Sequence, residues 1–341
     1  MPSTFIYKLS FFLLTLLVLS SLILISQTVA GAVSVPKTLD RDLEPVIIKG
    51  ANVGRFVSAP IQQLFVYTYT GSNWGEQIPI QIDEVTAAGS YTLIEDNLLD
   101  ANDEIVFMAL DLGARAPSTA PLTMTLPISD NWYEIEVSDP TAPTKKGWAY
   151  LVRSTVLAPT FGDDYVDYNN LNQRVMANQY ELGMATTGAD PFFGVDYLAL
   201  NGSGVDILDR TKLRVNATFF VPVTITEEGL TNPQTTLLKD GPVRVLLRQT
   251  GNASIAGQQE AIFKAYASLL QGIAHINFNS SGITISSART SVDFSSSISP
   301  TTTFHNANTP PNGVLINGNP DSVAALPLSH WSQINHSSGR L

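Results

Sequence analysis

The chain has 341 residues, of which 44% are hydrophobic and only 14% are charged, and its formal net charge is −11. That hydrophobic fraction excludes a disordered chain, and the lack of any Lys/Arg cluster excludes nucleic acid and anionic lipid as partners. The chain has no Cys, which excludes thiol nucleophiles and Cys-based zinc sites, so an exported chain of this size must rest on a large apolar core.

An export signal is predicted at the N-terminus. Lys8 precedes a mainly apolar stretch over residues 11–25, interrupted only by Thr15, Ser20 and Ser21, which is followed by small residues. This pattern is typical of a secretory signal peptide over residues 1–30, with cleavage after Ala30 or Ala32. The apolar run is shorter than the roughly 20 residues that span a bilayer, and an uncleaved N-terminal anchor is the alternative. We therefore expect a secreted or cell-envelope protein that meets the membrane only through this segment.

Period-two alternation of apolar and polar residues predicts β-strands along most of the remaining chain. It occurs at residues 78–83, 133–137, 213–219 and 243–248. Other runs are apolar at both parities and predict strands that are buried on two sides, at residues 64–69, 105–110 and 148–152. Clusters of Gly, Pro, Asn and Asp separate the runs at short intervals, which is typical of antiparallel sandwiches. Residues 262–270 fit helical spacing as well, and there we expect a short helix or an irregular strand.

The predicted organisation is an all-β chain with two modules. A boundary near residues 158–160 separates an N-terminal antiparallel β-sandwich over residues 36–157 from a second sandwich or supersandwich module over residues 160–341. Residues 295–322 are rich in Ser, Thr, Asn, Pro and Gly and are interpreted as long loops. Because no closing strand is apparent before Leu341, we expect the second module to be incomplete at its C-terminus.

An acidic loop is the best candidate for a metal site. Asp100, Asn102 and Glu104 lie at positions i, i+2 and i+4, and three side-chain oxygens on a tight loop are ligands that Ca²⁺ accepts. The loop lacks the glycine and the distant glutamate of an EF-hand. The alternative is an Asx-turn in which Asp100 or Asn102 caps the next strand.

No complete catalytic motif is present in the sequence. A serine-hydrolase elbow, a paired-His zinc motif and a phosphate-binding loop are all missing. Strand alternation places Asp83 on the outer face of its strand, opposite Glu84, so that pair is a poor acid/base dyad. The nearest candidates for catalysis are Arg244, Tyr266 and His275.

The four tryptophans offer platforms on which a sugar ring can stack. Trp132 lies opposite the apolar face of its strand and is expected to be exposed, whereas Trp148 belongs to a two-sided apolar strand and is expected in the core. Trp74 and Trp331 complete the set.

Four short stretches resemble a known group of proteins. They are Ile-Pro-Ile-Gln-Ile-Asp-Glu at 78–84, Asp-Ala-Asn-Asp-Glu-Ile-Val-Phe-Met-Ala at 100–109, Trp-Tyr-Glu at 132–134 and Asp-Gly-Pro-Val-Arg at 240–244. Together they resemble large secreted bacterial β-rich proteins of unassigned function. The last stretch also resembles strands of galactose-mutarotase-like β-supersandwiches, which implies a link to sugar-processing enzymes and polysaccharide lyases. The resemblance implies no catalytic residues.

Two functions follow from these observations. The first is a secreted or envelope-associated, non-catalytic β-sandwich protein that acts as a binding or surface-structural module, steadied by Ca²⁺ if the acidic loop holds it. The alternative is a carbohydrate-active enzyme, a polysaccharide lyase or glycoside hydrolase on a β-supersandwich. In both cases the expected partner is a polysaccharide or another cell-surface component.

Overall fold

The computed structural model describes residues 33–120, 132–160, 162–184, 191–253, 257–275, 283–295, 298, 300–317 and 331–341. The structure is about 53% strand and 5% helix, and the strands within these ranges form six antiparallel sheets. The predicted all-β antiparallel fold is therefore confirmed. The predicted signal peptide lies outside the described residues, and the module boundary stays a prediction.

Two sheets form the first sandwich. One has the strand order β1-β5-β4, with β1 at Pro45–Lys49, β4 at Gln81–Asp83 and β5 at Glu104–Met108. The other has the order β3-β2-β7-β6, with β2 at Leu64–Tyr69, β3 at Trp74–Ile78, β6 at Trp132–Ser138 and β7 at Lys146–Arg153. Short 3₁₀ helices at Gly50–Phe56, Ile61–Gln63 and Ala109–Asp111 connect these strands.

The remaining strands form four further sheets. One has the order β11-β10-β9-β8, with β8 at Val166–Asn169, β9 at Arg174–Ala177, β10 at Tyr180–Met184 and β11 at Val195–Leu200. Another has the order β14-β15-β16-β17, with β14 at Thr231–Asp240, β15 at Arg244–Ala253, β16 at Gly257–Tyr266 and β17 at Leu270–His275. A third, β13-β12-β18, contains β12 at Leu208–Phe219, β13 at Val221–Thr226 and β18 at Thr284–Phe294. The last, β20-β19-β21-β22, contains β19 at Thr303–His305, β20 at Val314–Leu315, β21 at Gln333–His336 and β22 at Gly339–Arg340.

The sheets stack in layers, and the two faces of β5 contact different layers. Its residues Ile105 and Phe107 face the β3-β2-β7-β6 sheet in one apolar core. Val106 and Met108, at the opposite parity, pack against Tyr266 of the β14-β15-β16-β17 sheet in a second core. The β1-β5-β4 sheet is therefore covered on both faces, and its central strand is buried at all five positions, as the two-sided apolar run predicts.

The β14-β15-β16-β17 sheet is covered on both faces in the same way. Arg244 and Leu246 face the first sandwich, whereas Val245 and Leu247 pack on the β11-β10-β9-β8 sheet. A separate core that includes Val215 and Ala261 joins this sheet to the β13-β12-β18 sheet. Alternation of side chains along one strand thus assigns each face to a different layer.

The outward face of the β3-β2-β7-β6 sheet is aromatic. Its buried core combines six large side chains with Ala114, and they are Phe65, Tyr67, Tyr69, Trp148, Tyr150 and Val152. The chain after β5 crosses this face, where Gly113 and Ala114 form backbone hydrogen bonds with Trp148 and Tyr69. Trp148 is 3% exposed, so its predicted core position is confirmed, whereas Trp132 is half-buried rather than exposed.

Three local predictions differ from the structure. Of the two alternatives at residues 262–270, the helix is absent and the strand is confirmed, because β16 and β17 form a hairpin that closes with a hydrogen bond from the Tyr266 N–H to the Leu269 carbonyl oxygen, 2.8 Å. The alternating run at 78–83 is two strands in different sheets, since Pro79 carries no N–H for a ladder and the chain changes sheet there. The chain also ends in a hairpin, β21 and β22, where no closing strand was expected.

We predict that Gly50→Ala destabilises the fold by about 2 kcal/mol or more, because a Cβ at this position would overlap the Asp100 carbonyl oxygen. Gly54→Ala, in the same 3₁₀ helix, is the matched control, since its Cβ would meet open space. Urea unfolding of both variants measures the difference. Equal free energies of unfolding for the two variants would contradict the packing of this helix against the acidic loop.

Candidate functional site

Arg244 lies at the junction of the first sandwich with the second half of the chain. It is the first residue of β15, directly after the turn Asp240-Gly241-Pro242-Val243, and its side chain is completely buried. Alternation turns it away from Val245 and toward the first sandwich, in agreement with the predicted parity. The β1-β5-β4 sheet covers this face, so Arg244 lies neither in an open cleft nor in solvent.

The guanidinium of Arg244 binds two carboxylates. Nε donates to Asp83 Oδ2 at 2.8 Å, and Nη2 lies 2.6 Å from the same oxygen. Nη2 also donates to Glu104 Oε2 at 2.6 Å. Asp83 ends β4 and Glu104 begins β5, and the two residues are paired across the ladder, so two neighbouring strands present their carboxylates to one cation.

Two tyrosines complete the first set of contacts, which we call the Arg244 cluster: Arg244, Asp83, Glu104, Tyr91 and Tyr266. Arg244 Nη1 donates to the Tyr266 hydroxyl at 3.0 Å, and Tyr266 faces Arg244 across the β15–β16 ladder. The Tyr91 hydroxyl donates to Glu104 Oε2 at 2.6 Å. Every nitrogen of the guanidinium therefore has a partner.

Gln81 and Lys49 support the Arg244 cluster from outside it. The Gln81 amide accepts a hydrogen bond from the Arg244 backbone N–H at 2.9 Å and donates to Asp83 Oδ1 at 2.7 Å. The Lys49 ammonium donates to Glu104 Oε1 at 2.9 Å. A Cβ on Gly241 would lie 2.5 Å from the Gln81 Oε1, so the glycine lets the turn approach this amide closely.

Burial and charge act against each other in the Arg244 cluster. Burial raises the pKa of Glu104, but hydrogen bonds from Lys49, Tyr91 and Arg244 outweigh it and lower the pKa to about 2. Burial also raises the pKa of Asp83, and there the attraction of Arg244 offsets it only in part. For Arg244 itself burial lowers the pKa, while the nearby carboxylates raise it by more. The guanidinium is therefore a permanent cation that holds its partners in place.

The structure brings together two of the three candidate catalytic residues. Arg244 and Tyr266 are in contact, but both are fully buried. His275 is exposed at the far end of β17, opposite Glu260. Six residues of β16 separate Glu260 from Tyr266, about 20 Å along a strand. A substrate that reached His275 would not touch the Arg244 cluster.

The three residues predicted to bind calcium form hydrogen bonds with different partners. Glu104 belongs to the Arg244 cluster, and the Asn102 side-chain amide donates to the Val85 carbonyl oxygen. Asp100 contributes its backbone N–H to Asp103 Oδ2 at 2.6 Å. Among the described residues, no group of three or more His, Asp or Glu side chains is arranged to hold a metal ion. The geometry gives the calcium prediction no support.

Sequence reasoning missed the residues that organise this region. Asp103 is completely buried and accepts the backbone N–H groups of Asp100 and Val85, so it closes the acidic loop. Asp83 was expected on an outer face and is 1% exposed. The sequence signal that could have identified Asp83 and Glu104 as partners on one face was their parity, since each lies opposite an apolar neighbour on a short strand.

A second buried contact crosses the same junction. The Tyr165 hydroxyl donates to Asp111 Oδ1 at 2.8 Å, while Asp111 Oδ2 is buried with no hydrogen-bond partner in the described part of the chain. Burial raises the pKa of Asp111 to about 6 and outweighs the hydrogen bond from Tyr165. The native state therefore binds a proton here more tightly than the unfolded chain does.

Comparison of the chain with protein-family models, with curated proteins and with solved structures finds no match. No helix within the described ranges is long and apolar enough to cross a membrane. The function is therefore argued from the residues of this chain alone.

We predict that Arg244→Met lowers the free energy of unfolding by about 3–5 kcal/mol, because it leaves Asp83 buried without a cation and leaves Glu104 with the Lys49 ammonium alone. Lys146→Met is the control, since it breaks the half-exposed pair with Glu136 and should cost at most about 1 kcal/mol. Chemical denaturation compares the two variants.

Neutralising the partners separates lost charge from lost packing. When Asp83→Asn and Glu104→Gln are added to Arg244→Met, part of the lost stability should return, because no buried carboxylate is left without the guanidinium. A triple variant that is less stable than Arg244→Met would show that the cluster acts through shape rather than charge.

The pH dependence of stability provides a second test of the junction. The folded pKa of Asp111 is raised to about 6. Protonated Asp111 therefore stabilises the folded state at low pH, and this stabilisation is lost as the pH rises from about 4 through 6. Asp111→Asn removes this loss, so the variant should match the wild type near pH 4 and exceed it by about 1–2 kcal/mol at pH 7, after screening by solvent. Thermal unfolding across this range measures both curves, and parallel curves would contradict the assignment.

Proposed function

We propose that this chain is an exported, non-catalytic β-sandwich protein that acts as a binding or surface-structural module. One observation carries the proposal: the place where the candidate catalytic side chains meet is a sealed ionic cluster. Arg244 and Tyr266 have no exposed surface, and each guanidinium nitrogen already donates to a protein oxygen. A catalytic group must reach its substrate within hydrogen-bond distance, and this pair is closed to any substrate.

The role that the Arg244 cluster supports is to hold two parts of the chain at one orientation. A buried charge has a large desolvation cost and is retained only with well-placed partners. Here the partners come from β4, β5 and β16, so the ion pairs are satisfied only when the first sandwich is docked on the β14-β15-β16-β17 sheet. A rigid arrangement of this kind suits a protein that presents a surface to a partner.

Export is the second part of the proposal. It rests on the signal-peptide pattern of residues 1–30. This pattern supports a secreted or cell-envelope location, with a polysaccharide or another cell-surface component as partner.

The proposal predicts that Tyr266→Phe changes stability and nothing else. The loss of the hydroxyl leaves an Arg244 N–H buried without a partner, which should cost about 1–3 kcal/mol in a denaturation experiment. Incubation of the exported chain with a panel of polysaccharides should release neither reducing ends nor unsaturated lyase products, for the wild type or the variant. Turnover by the wild type that Tyr266→Phe abolishes would overturn the proposal and favour the carbohydrate-active enzyme.

A further inference from the structure

A cleft opens at the rim of the aromatic face of the β3-β2-β7-β6 sheet. Its volume is about 540 Å³, within the range of about 300–1,000 Å³ that small-molecule sites occupy. Trp74 on β3, Trp132 on β6 and Tyr150 on β7 line it, with Arg115 and Glu134 beside them. We call it the aromatic cleft and define it by these five residues.

The aromatic rings hold one another in place. Trp74 packs edge-on against Tyr150, with 4.8 Å between ring centroids and 87° between planes. Trp132 lies 5.9 Å from Tyr150 at a tilt of 55°. The Tyr150 hydroxyl accepts the Ala116 N–H at 2.7 Å. Tyr150 is buried, whereas Trp74 and Trp132 are half-buried, so parts of two indoles remain accessible on a fixed support.

A charged pair lies at the side of these rings. Arg115 Nη2 lies 2.8 Å from Glu134 Oε1, and Arg115 Nε donates to the same oxygen at 3.0 Å. The Arg115 side chain is 50% exposed and that of Glu134 is 27% exposed. The pair carries donors and acceptors but no net charge, so it favours an uncharged ligand with hydroxyl groups over an anion or a cation.

Flat aromatic surface beside exposed donors and acceptors matches one kind of ligand. A sugar ring has an apolar face of C–H groups that packs on an indole, and a rim of hydroxyls that both donate and accept. We propose that the aromatic cleft binds an uncharged saccharide, with Trp132 and Trp74 as the stacking surfaces and with Arg115 and Glu134 as the hydroxyl partners. This inference rests on the proposed binding role and names its ligand class.

The aromatic cleft is independent of the Arg244 cluster. The cleft lies on the outward face of the β3-β2-β7-β6 sheet, whereas Arg244 contacts the β1-β5-β4 sheet on the far side of the first sandwich. Substitutions in the aromatic cleft therefore leave the ion pairs of Arg244 intact. Binding and overall stability can be measured separately.

The test is a titration of the exported chain with uncharged hexasaccharides of cellulose, xylan, mannan, starch and chitin, and with oligogalacturonate as the charged probe. Calorimetry and tryptophan fluorescence report binding. At least one uncharged hexasaccharide should bind saturably. Trp132→Ala should weaken that binding about tenfold or more, as the loss of an aromatic anchor does.

Two further variants complete the design. Trp331→Ala removes a tryptophan that is 69% exposed and lies outside the cleft lining, so its affinity should equal that of the wild type. Arg115→Ala removes a half-exposed partner and should also weaken binding. If Trp132→Ala fails to melt cooperatively, the affinity of Arg115→Ala for the saccharide tests the proposal instead.

Three results would overturn the inference: no uncharged hexasaccharide binds at millimolar concentration, only oligogalacturonate binds, or Trp132→Ala and Trp331→Ala lose affinity equally. In the first case the surface-structural form of the proposed function still stands. Binding that is lost in Trp132→Ala but accompanied by cleavage would support the cleft and overturn the non-catalytic proposal. The two proposals therefore fail on different readouts.

Discussion

The buried Arg244 guanidinium fixes how the second half of the chain packs on the first sandwich. Its carboxylate partners lie on β4 and β5 of the first sandwich, and Tyr266 lies beside it on the neighbouring strand β16. A cation without solvent must be matched by fixed anions, so the second half of the chain can dock in only one register. Apolar contacts such as Val106 with Val243 add area to this junction, but area alone does not select a register in this way.

Burial of the junction also explains the amino-acid pattern of the strands. A sheet between two layers needs apolar side chains on both faces, and β5 is buried at every position. Among the described residues, the β3-β2-β7-β6 sheet meets another sheet on one face, and its other face carries aromatic side chains that lie partly under the chain around Gly113 and Ala114. The sandwich core and the aromatic cleft are therefore two faces of one sheet. The proposed binding role uses the face that the fold leaves partly open.

The candidate site was accessible to sequence reasoning only in part. Arg244 could be singled out because it stands at the polar parity of a predicted strand. Tyr266 was named as a nearby candidate within residues 262–270, where a short helix or an irregular strand was expected. His275 is also a polar residue in a predicted candidate set, but it lies about 20 Å along the sheet from Tyr266. Nothing in the sequence around His275 indicates this distance. The Asp100–Glu104 spacing fits a cation loop, yet Asn102 and Glu104 turn to Val85 and to Arg244 instead, since partners distant in the chain compete for the same oxygens and amides.

Several features could be predicted from the sequence alone: the all-β class, the two-sided strands at 64–69 and 148–152, the core position of Trp148, and the parity of Asp83 and Arg244. These follow from side-chain alternation and composition, which act over a few residues. The packing of the sheets, by contrast, brings the polar face of β4 against the polar face of β15, so that Asp83 is a buried anion rather than a solvated one. Strand alternation assigns a side chain to a face, but what covers that face depends on contacts between residues more than 150 positions apart.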